Sequence, residues 1–292
     1  MGHARNASAK NVAQQQACYL HDLRVLVLSD VHANLEALEA CMAAAPQHDG
    51  VVNLGDVVGY GASPNEVADK SRNLSQYIVR GNHDKACTGQ MNLHDFNPVA
   101  AAAALWTQEN LKPKNMDWLR QLPAGPVPMS PDARLGGNQP KRTAQEANDA
   151  AIPLLVHGSP LDEDEYVIAV PEALEVLMRS RVRLTLFGHT HVQGGFSLGA
   201  EAGGQSFRPS YGNSSDLQEV SMPLAPQTRY LINPGSVGQP RDGDWRAAFL
   251  LLDTTAAQVT FYRTPYDIKR AQQRILDAKL PARLATRLSE GR

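Results

Sequence analysis

Five short apolar runs in this chain each end on a residue that can ligate a metal, and this recurrence constrains the fold more than any other feature. Residues 24–29 lead to Asp30 and His32, and residues 51–54 lead through Gly55 to Asp56. Residues 77–80 lead to Gly81-Asn82-His83-Asp84, residues 152–156 to His157, and residues 183–187 to Gly188-His189-Thr190-His191. A short apolar run closed by a turn residue reads as a buried strand. Open α/β sheets bind ligands at the carboxyl ends of their strands. All five runs are therefore expected to bring their polar residues to one edge, around Asp56.

The intervening segments supply the crossovers. Residues 34–45 read as a helix, with Leu35, Leu38 and Met42 on one face and Asn34 as the N-cap. Residues 64–72 read as a second helix, with Ser63 as N-cap and Pro64 in the first turn. With a strand over 76–80 the order is βαβαβ, which implies a parallel sheet with right-handed crossovers. Further on, 98–111, 115–122, 171–180 and 267–278 read as helices. Residues 193–198, 228–232, 247–252 and 258–262 read as strands, the last three antiparallel. Two polar stretches, 129–151 and 199–226, read as loop insertions. The expected fold class is α/β, a sandwich of two sheets flanked by helices. The first half winds one sheet and the second half closes another onto it. One domain is expected over 24–292, ending in a helical segment over 266–292 and preceded by a disordered tail over 1–23.

Composition removes several alternatives. The net charge of −2 gives no basic footprint for long nucleic acid. No apolar run approaches the roughly 20 residues of a membrane-spanning helix. The three cysteines, Cys18, Cys41 and Cys87, form no C-x-x-C pair, which suits reduced thiols in a cytoplasmic protein.

The candidate ligands are Asp30, His32, Asp56, Asn82, His157, His189 and His191: two carboxylates, one amide oxygen and four imidazoles. One ion does not need so many donors; two ions sharing a ligand do. Ions about 3.5–4 Å apart suit phosphate-ester hydrolysis, because they clamp both the attacking and the leaving oxygen. Mixed nitrogen and oxygen donors without thiolate suit divalent or mixed-valence transition ions (Mn, Fe, Zn or Ni, with Mn favoured) over Mg alone. Each motif alone is weak; the ordered set is specific.

Asp30-Val31-His32, Gly55-Asp56, Gly81-Asn82-His83-Asp84, His157 and Gly188-His189-Thr190-His191 together resemble the signature of the calcineurin-like metallophosphoesterase superfamily, across roughly residues 24–265. The resemblance implies two mixed sheets and a dinuclear metal centre. By it, Asp30, His32 and His191 hold one ion, and Asn82, His157 and His189 hold the other. Asp56 bridges both, together with a hydroxide that attacks phosphorus. His83 is then the acid that protonates the leaving group or stabilises phosphoryl charge, with Asp84 placed to orient or charge-stabilise an imidazole.

The protein Ser/Thr phosphatase branch reads Gly-Asp-x-x-Asp-Arg-Gly at the second motif. Here the stretch is Gly55-Asp56-Val57-Val58-Gly59-Tyr60-Gly61, without the second Asp and the Arg. It resembles instead the small prokaryotic phosphoesterase and phosphodiesterase branch. Arg241 is a candidate replacement for the missing phosphate-binding arginine, with Arg80 a second. Asn34 and Tyr60 are further candidate substrate contacts, although capping explains Asn34 as well and packing explains Tyr60 as well. Asn233-Pro234-Gly235-Ser236 reads as a turn between strands. The expected activity is metal-dependent hydrolysis of a small phosphomonoester, phosphodiester or nucleotide. The alternatives are a phosphoprotein or dinucleoside-polyphosphate phosphatase, and a non-catalytic scaffold that keeps the fold.

Overall fold

A computed structural model describes residues 23–94, 96–129, 152–200 and 203–292. Its centre is a pair of six-stranded mixed sheets. The first contains β1 (Arg24–Leu28), β2 (Gly50–Asn53), β3 (Tyr77–Ile78), β9 (Gln218–Pro223), β11 (Ala247–Asp253) and β12 (Gln258–Thr264), in the order β3-β2-β1-β11-β12-β9. The second contains β4 (Val127–Pro128), β5 (Leu154–Leu155), β6 (Leu184–Leu186), β7 (Gly194–Gly199), β8 (Gly203–Phe207) and β10 (Arg229–Asn233), in the order β4-β5-β6-β10-β7-β8. Each has three adjacent parallel strands, β1 to β3 in one and β5, β6 and β10 in the other.

Side-chain alternation explains the layers. Val25 and Val27 of β1 face the second sheet, packing with Leu155, Leu186 and Ile232. Leu26 and Leu28 face the other way, towards the helices. Both faces of β1 are thus buried after Arg24, so residues 25–28 are all apolar. The helices over the first sheet include α1 (Leu35–Ala44), α2 (Pro64–Leu74), α3 (Asn82–Cys87), α4 (Pro98–Asn110) and α5 (Pro113–Arg120). With them pack α7 (Ile268–Asp277) and α8 (Ala282–Glu290). Over the second sheet lies α6 (Val170–Arg179), through Ala173, Val176 and Leu177 against Phe187, Phe196 and Leu231. Each fully buried side chain of this kind contributes roughly 1.5–3 kcal/mol.

Two expectations need correction. The late strands do not form a separate sheet: β11 pairs antiparallel with β1 and β12 with β11, so both extend the first sheet. The stretch 199–226 is not a loop throughout. It carries β8 and β9, which pair with β7 and β12 at the outer edges of the two sheets. Edge strands need no continuous apolar run, and β9 instead alternates half-buried and exposed residues. Within 266–292 lie the two helices α7 and α8, separated at residues 278–281. The tail over 1–22, Cys18 and the insertion over 130–151 lie outside the described residues. No described helix is long and apolar enough to cross a membrane.

Candidate metal centre

Every candidate ligand sits just past the carboxyl end of a parallel strand. Asp30 and His32 follow β1, Asp56 follows β2, and Asn82 and His83 open α3 after β3. His157 follows β5, and His189 and His191 follow β6. All seven ligand candidates are buried. Main-chain pairing continues beyond the strands: the amides of Asp30, His32 and Ala33 donate to the carbonyls of Gly55, Asp56 and Val57 at 3.0, 2.9 and 3.0 Å. The loops are tightly coiled. Asp30, His32, Asp56, His189 and His191 all have positive φ, between 50° and 66°. Such conformations cost a non-glycine residue about 1–3 kcal/mol each and persist only where surrounding contacts over-determine them.

The donor atoms fall into two groups that share one residue. Asp30, His32, Asp56 and His191 form one, and Asp56, His157 and His189 form the other, each with its donor atoms within 4.8 Å of one another. The Asn82 Oδ1 lies 3.3 Å from His157 Nε2, which adds it to the second group.

Second contacts fix which atoms are free. Asp30 Oδ2 accepts from the Ser29 hydroxyl at 2.6 Å and from the His189 amide at 3.2 Å. Its Oδ1 has no hydrogen-bond partner and lies 3.2 Å from His191 Nε2. Asp56 Oδ1 accepts from the His83 amide at 2.8 Å. Its partnerless Oδ2 faces His32 Nε2 at 3.5 Å and His157 Nε2 at 3.4 Å. Each carboxylate is clamped through one oxygen and presents the other.

The imidazoles are arranged likewise. The Nδ1 atoms of His32, His157 and His191 face the carbonyls of Val58, Leu54 and Gln239 at 3.3, 2.8 and 2.6 Å. His189 Nε2 faces the Asp164 carbonyl at 3.1 Å. A ring nitrogen against a carbonyl must carry the proton, so the other nitrogen offers a lone pair. Two such lone pairs, on His32 Nε2 and His191 Nε2, stand only 3.0 Å apart. That contact is repulsive unless a cation or a proton lies with them. Presented oxygens, oriented imidazoles and no thiolate make a donor set that fits divalent transition ions.

The electrostatics agree. Burial disfavours the Asp56 carboxylate, but His157, His83 and His32 around it outweigh that and hold it well below the usual range. Burial would lower His157, yet the Asp56 charge beside it pushes it up to about 10. The pocket favours positive charge at this point, which a metal cation satisfies. Burial depresses His32 and His191, and takes His189 down to about 3, so these rings are neutral donors near pH 7.

His83 lies beside the cluster but in neither group. Its ring packs against Tyr60 at 4.2 Å and Phe96 at 5.1 Å, and its Nδ1 has no hydrogen-bond partner. Burial lowers its pKa to about 4. The ring fits only because residue 59 is glycine: a Cβ there would meet His83 Nδ1 at 2.7 Å. Gly81 is just as constrained, since its Cβ would fall 2.0 Å from Asp56 Oδ1.

Several sequence candidates have other work. Asp84 does not orient an imidazole; its oxygens accept from the amides of Gly81 at 3.0 Å and Val58 at 3.2 Å, capping α3. Burial, with the Asp56 charge adding to it, pushes this carboxyl up to about 7. Asn34 caps α1 through the Ala37 amide and donates to the Gly238 carbonyl at 3.0 Å, so its amide is engaged at both ends and is not a free substrate contact. Arg80 is turned away into a fork on Glu163, at 2.9 and 2.8 Å, and does not replace a phosphate-binding arginine. Tyr60 packs between His32 and His83, and Arg241 reaches the same place through the Tyr60 hydroxyl at 3.3 Å.

Sequence reasoning missed the residues that lock the loops together. Asn233 Nδ2 donates to the Gly188 carbonyl at 2.6 Å and to Thr190 Oγ1 at 3.1 Å. The Ser236 hydroxyl donates to the Asp30 carbonyl at 2.8 Å. The turn Asn233–Ser236 therefore ties the two sheets' ligand loops, and its Asn and Ser were the available signal. Tyr166 also lay outside that reading. It is half exposed on the rim and stacks on His189, with ring centroids 3.7 Å apart.

The chain is similar to known proteins. The family model for calcineurin-like phosphoesterases matches residues 23–193. An uncharacterized protein of Methanocaldococcus jannaschii is 32% identical over 270 residues, covering 92% of this chain and 98% of its own. The crystal structure of a metallophosphoesterase from Sphaerobacter thermophilus has 35% identity and a TM-score of 0.71, covering 92% of this chain and 99% of that one. A hypothetical protein from Pyrococcus horikoshii, 19% identical with a TM-score of 0.66, shares the fold over 92% of this chain and 98% of its own.

Proposed function

The chain belongs to the calcineurin-like phosphoesterase family, and we propose that it hydrolyses phosphoester bonds in a small phosphorylated molecule or nucleotide. The observation that carries this reading is the pair of buried donor groups meeting at Asp56. Asp30, His32 and His191 would hold one ion, and Asn82, His157 and His189 the other, with Asp56 common to the two donor groups. Mixed nitrogen and oxygen donors without thiolate suit Mn, Fe, Zn or Ni, and Mn is the first metal to test. When bound, such a pair supplies Lewis-acid polarisation of the phosphoryl oxygens and lowers the pKa of a water nucleophile.

The chain's own residues do the rest. The clamped carboxylates and carbonyl-bonded imidazoles keep their donors in place through turnover. His83, neutral when the site is empty of substrate, offers one N–H to a phosphoryl or leaving-group oxygen. An arriving phosphate adds negative charge beside it and favours its protonated form, which can release a proton to the leaving group. Arg241 adds a fixed charge on the same side. The near-neutral net charge suits small substrates over long nucleic acid. The buried free thiols Cys41 and Cys87 suit a reducing cytoplasm.

The test is hydrolysis of bis(p-nitrophenyl) phosphate beside p-nitrophenyl phosphate by chelator-stripped protein given Mn, Zn, Ni or Mg in turn. Metal-restored turnover supports the reading, and the preferred ester assigns the diester or monoester class. Failure to hydrolyse either ester or a nucleotide panel, with both ions measured as bound, would overturn it.

A further inference from the structure

Beside the metal centre lies positive charge that the mechanism only partly uses. Arg241, on the loop after β10, and Arg287, on α8, both approach the Tyr60 ring, with guanidinium carbons 5.9 and 5.8 Å from its centroid. That ring packs directly on His32 and His83, at 4.7 and 4.2 Å. Arg241 is the inner of the two, since its charge acts on His32, His83 and His191. The Arg287 charge acts on Tyr60, one step further out. Burial, with the Arg241 charge adding to it, lowers the Arg287 pKa.

Elsewhere Arg80, Arg246, Arg263 and Arg274 each hold a carboxylate. Among the described residues, neither Arg241 nor Arg287 forms an ion pair with Asp or Glu. Arg241 donates to the Tyr60 hydroxyl and Gln239 Oε1, both at 3.3 Å, and its buried Nε has no hydrogen-bond partner. Arg287 Nε donates to the main-chain oxygen of Arg292 at 2.7 Å.

The position is built. The Arg241 amide donates to the His191 carbonyl at 3.2 Å, and Asp242 beside it is held by buried Arg263. The Gly243 amide donates to the Gly291 carbonyl at 3.0 Å, which ties this loop to the end of α8. Two guanidiniums gathered at one tyrosine ring, neither in an ion pair with an Asp or Glu side chain, are a site for an anion with more than one charge.

We infer that Arg241 and Arg287 form a second phosphate subsite beside the metal centre, and that the substrate carries two phosphate groups, one hydrolysed and one held by this pair. The inference rests on the phosphoesterase reading. It covers both a diphosphate chain and two phosphates separated by a short linker.

The probes are methylphosphonate, methylenediphosphonate and propane-1,3-diphosphonate, none of which has a P–O–P or ester bond to hydrolyse. Each is titrated calorimetrically into the metal-loaded full chain with free metal held fixed. At least one diphosphonate should bind about tenfold more tightly than methylphosphonate. The shorter probe assigns a diphosphate chain and the longer a spaced bisphosphate. Arg287→Gln should bring all three within about threefold of one another, and Arg287→Lys should restore part of the gap. Melting temperature and metal content verify the fold of each variant, and Arg241→Gln replaces Arg287→Gln if the latter does not fold. No gap in the wild type, or a gap that survives in a folded Arg287→Gln or Arg241→Gln chain, would overturn the inference. Binding is read without turnover, so the two readings separate. A gap in a chain that hydrolyses no ester keeps the subsite and removes the phosphoesterase reading. Turnover without a gap does the reverse.

Discussion

The two sheets deliver their ligands by the same device but not with the same chemistry. The first supplies Asp30, His32, Asp56 and Asn82, and with them both carboxylates of the centre. The second supplies His157, His189 and His191, all imidazoles. Fixed negative charge therefore stands on one side, and imidazoles reach towards it from the other. The sides meet through direct bonds, such as the His189 amide on Asp30 Oδ2 at 3.2 Å. The negative charge belongs to the first sheet, whereas the division into two donor groups depends on which imidazole of the second each carboxylate meets.

That asymmetry can be broken one residue at a time. Asp56→Asn removes the shared charge, so both ions should weaken, by at least about hundredfold in affinity, with turnover lost. Metal content after dialysis measures this, and two retained ions would show that the charge is not shared. His157→Ala on the second sheet should cost one ion and leave the Asp30, His32 and His191 group loaded. A stoichiometry near one supports two separable sites, and near zero makes the sheets a single cooperative unit. His83→Ala touches neither group, so both ions should stay while kcat falls by about 10²–10⁴-fold. Unchanged kcat would remove His83 from the chemistry.

The difference between the sheets also decided what could be read in advance. The five strand ends were legible because apolar runs buried on both faces stop abruptly at a polar ligand, and that signal is local. The membership of β11 was not: Leu252 pairs with Val25, far back in the chain, and nothing near Leu252 names its partner. β8 and β9 escaped because edge strands exposed to solvent carry no apolar run. The same limit applied to polar side chains. Arg80 was a fair phosphate candidate until Glu163, 83 positions on, claimed it. Asn34 is anchored to Gly238, 204 positions on. Residue type announces what chemistry a side chain can do, and distant neighbours decide whether it is free to do it.

The smallest expected effect lies at the seam between the halves. Glu163, on the loop after His157, accepts from Arg80 behind β3 and from Lys85 of α3, the latter at 3.0 Å. Burial raises the Glu163 pKa, but the hydrogen bonds and charges of Arg80 and Lys85 outweigh it and hold the carboxyl below its ordinary 4.5. A carboxylate whose pKa is lower folded than unfolded contributes its stability above the unfolded value. It loses that stability as pH falls through the folded value. Glu163→Gln should therefore lower the melting temperature near pH 7 by about 2 °C, for a partly exposed network worth about 1 kcal/mol. The gap from wild type should close as pH falls through the lowered Glu163 pKa, below its ordinary 4.5. A gap constant from pH 7 to pH 3 would mean that Glu163 joins the halves through packing and neutral hydrogen bonds, leaving Lys85–Asp164 as the ion pair of this seam.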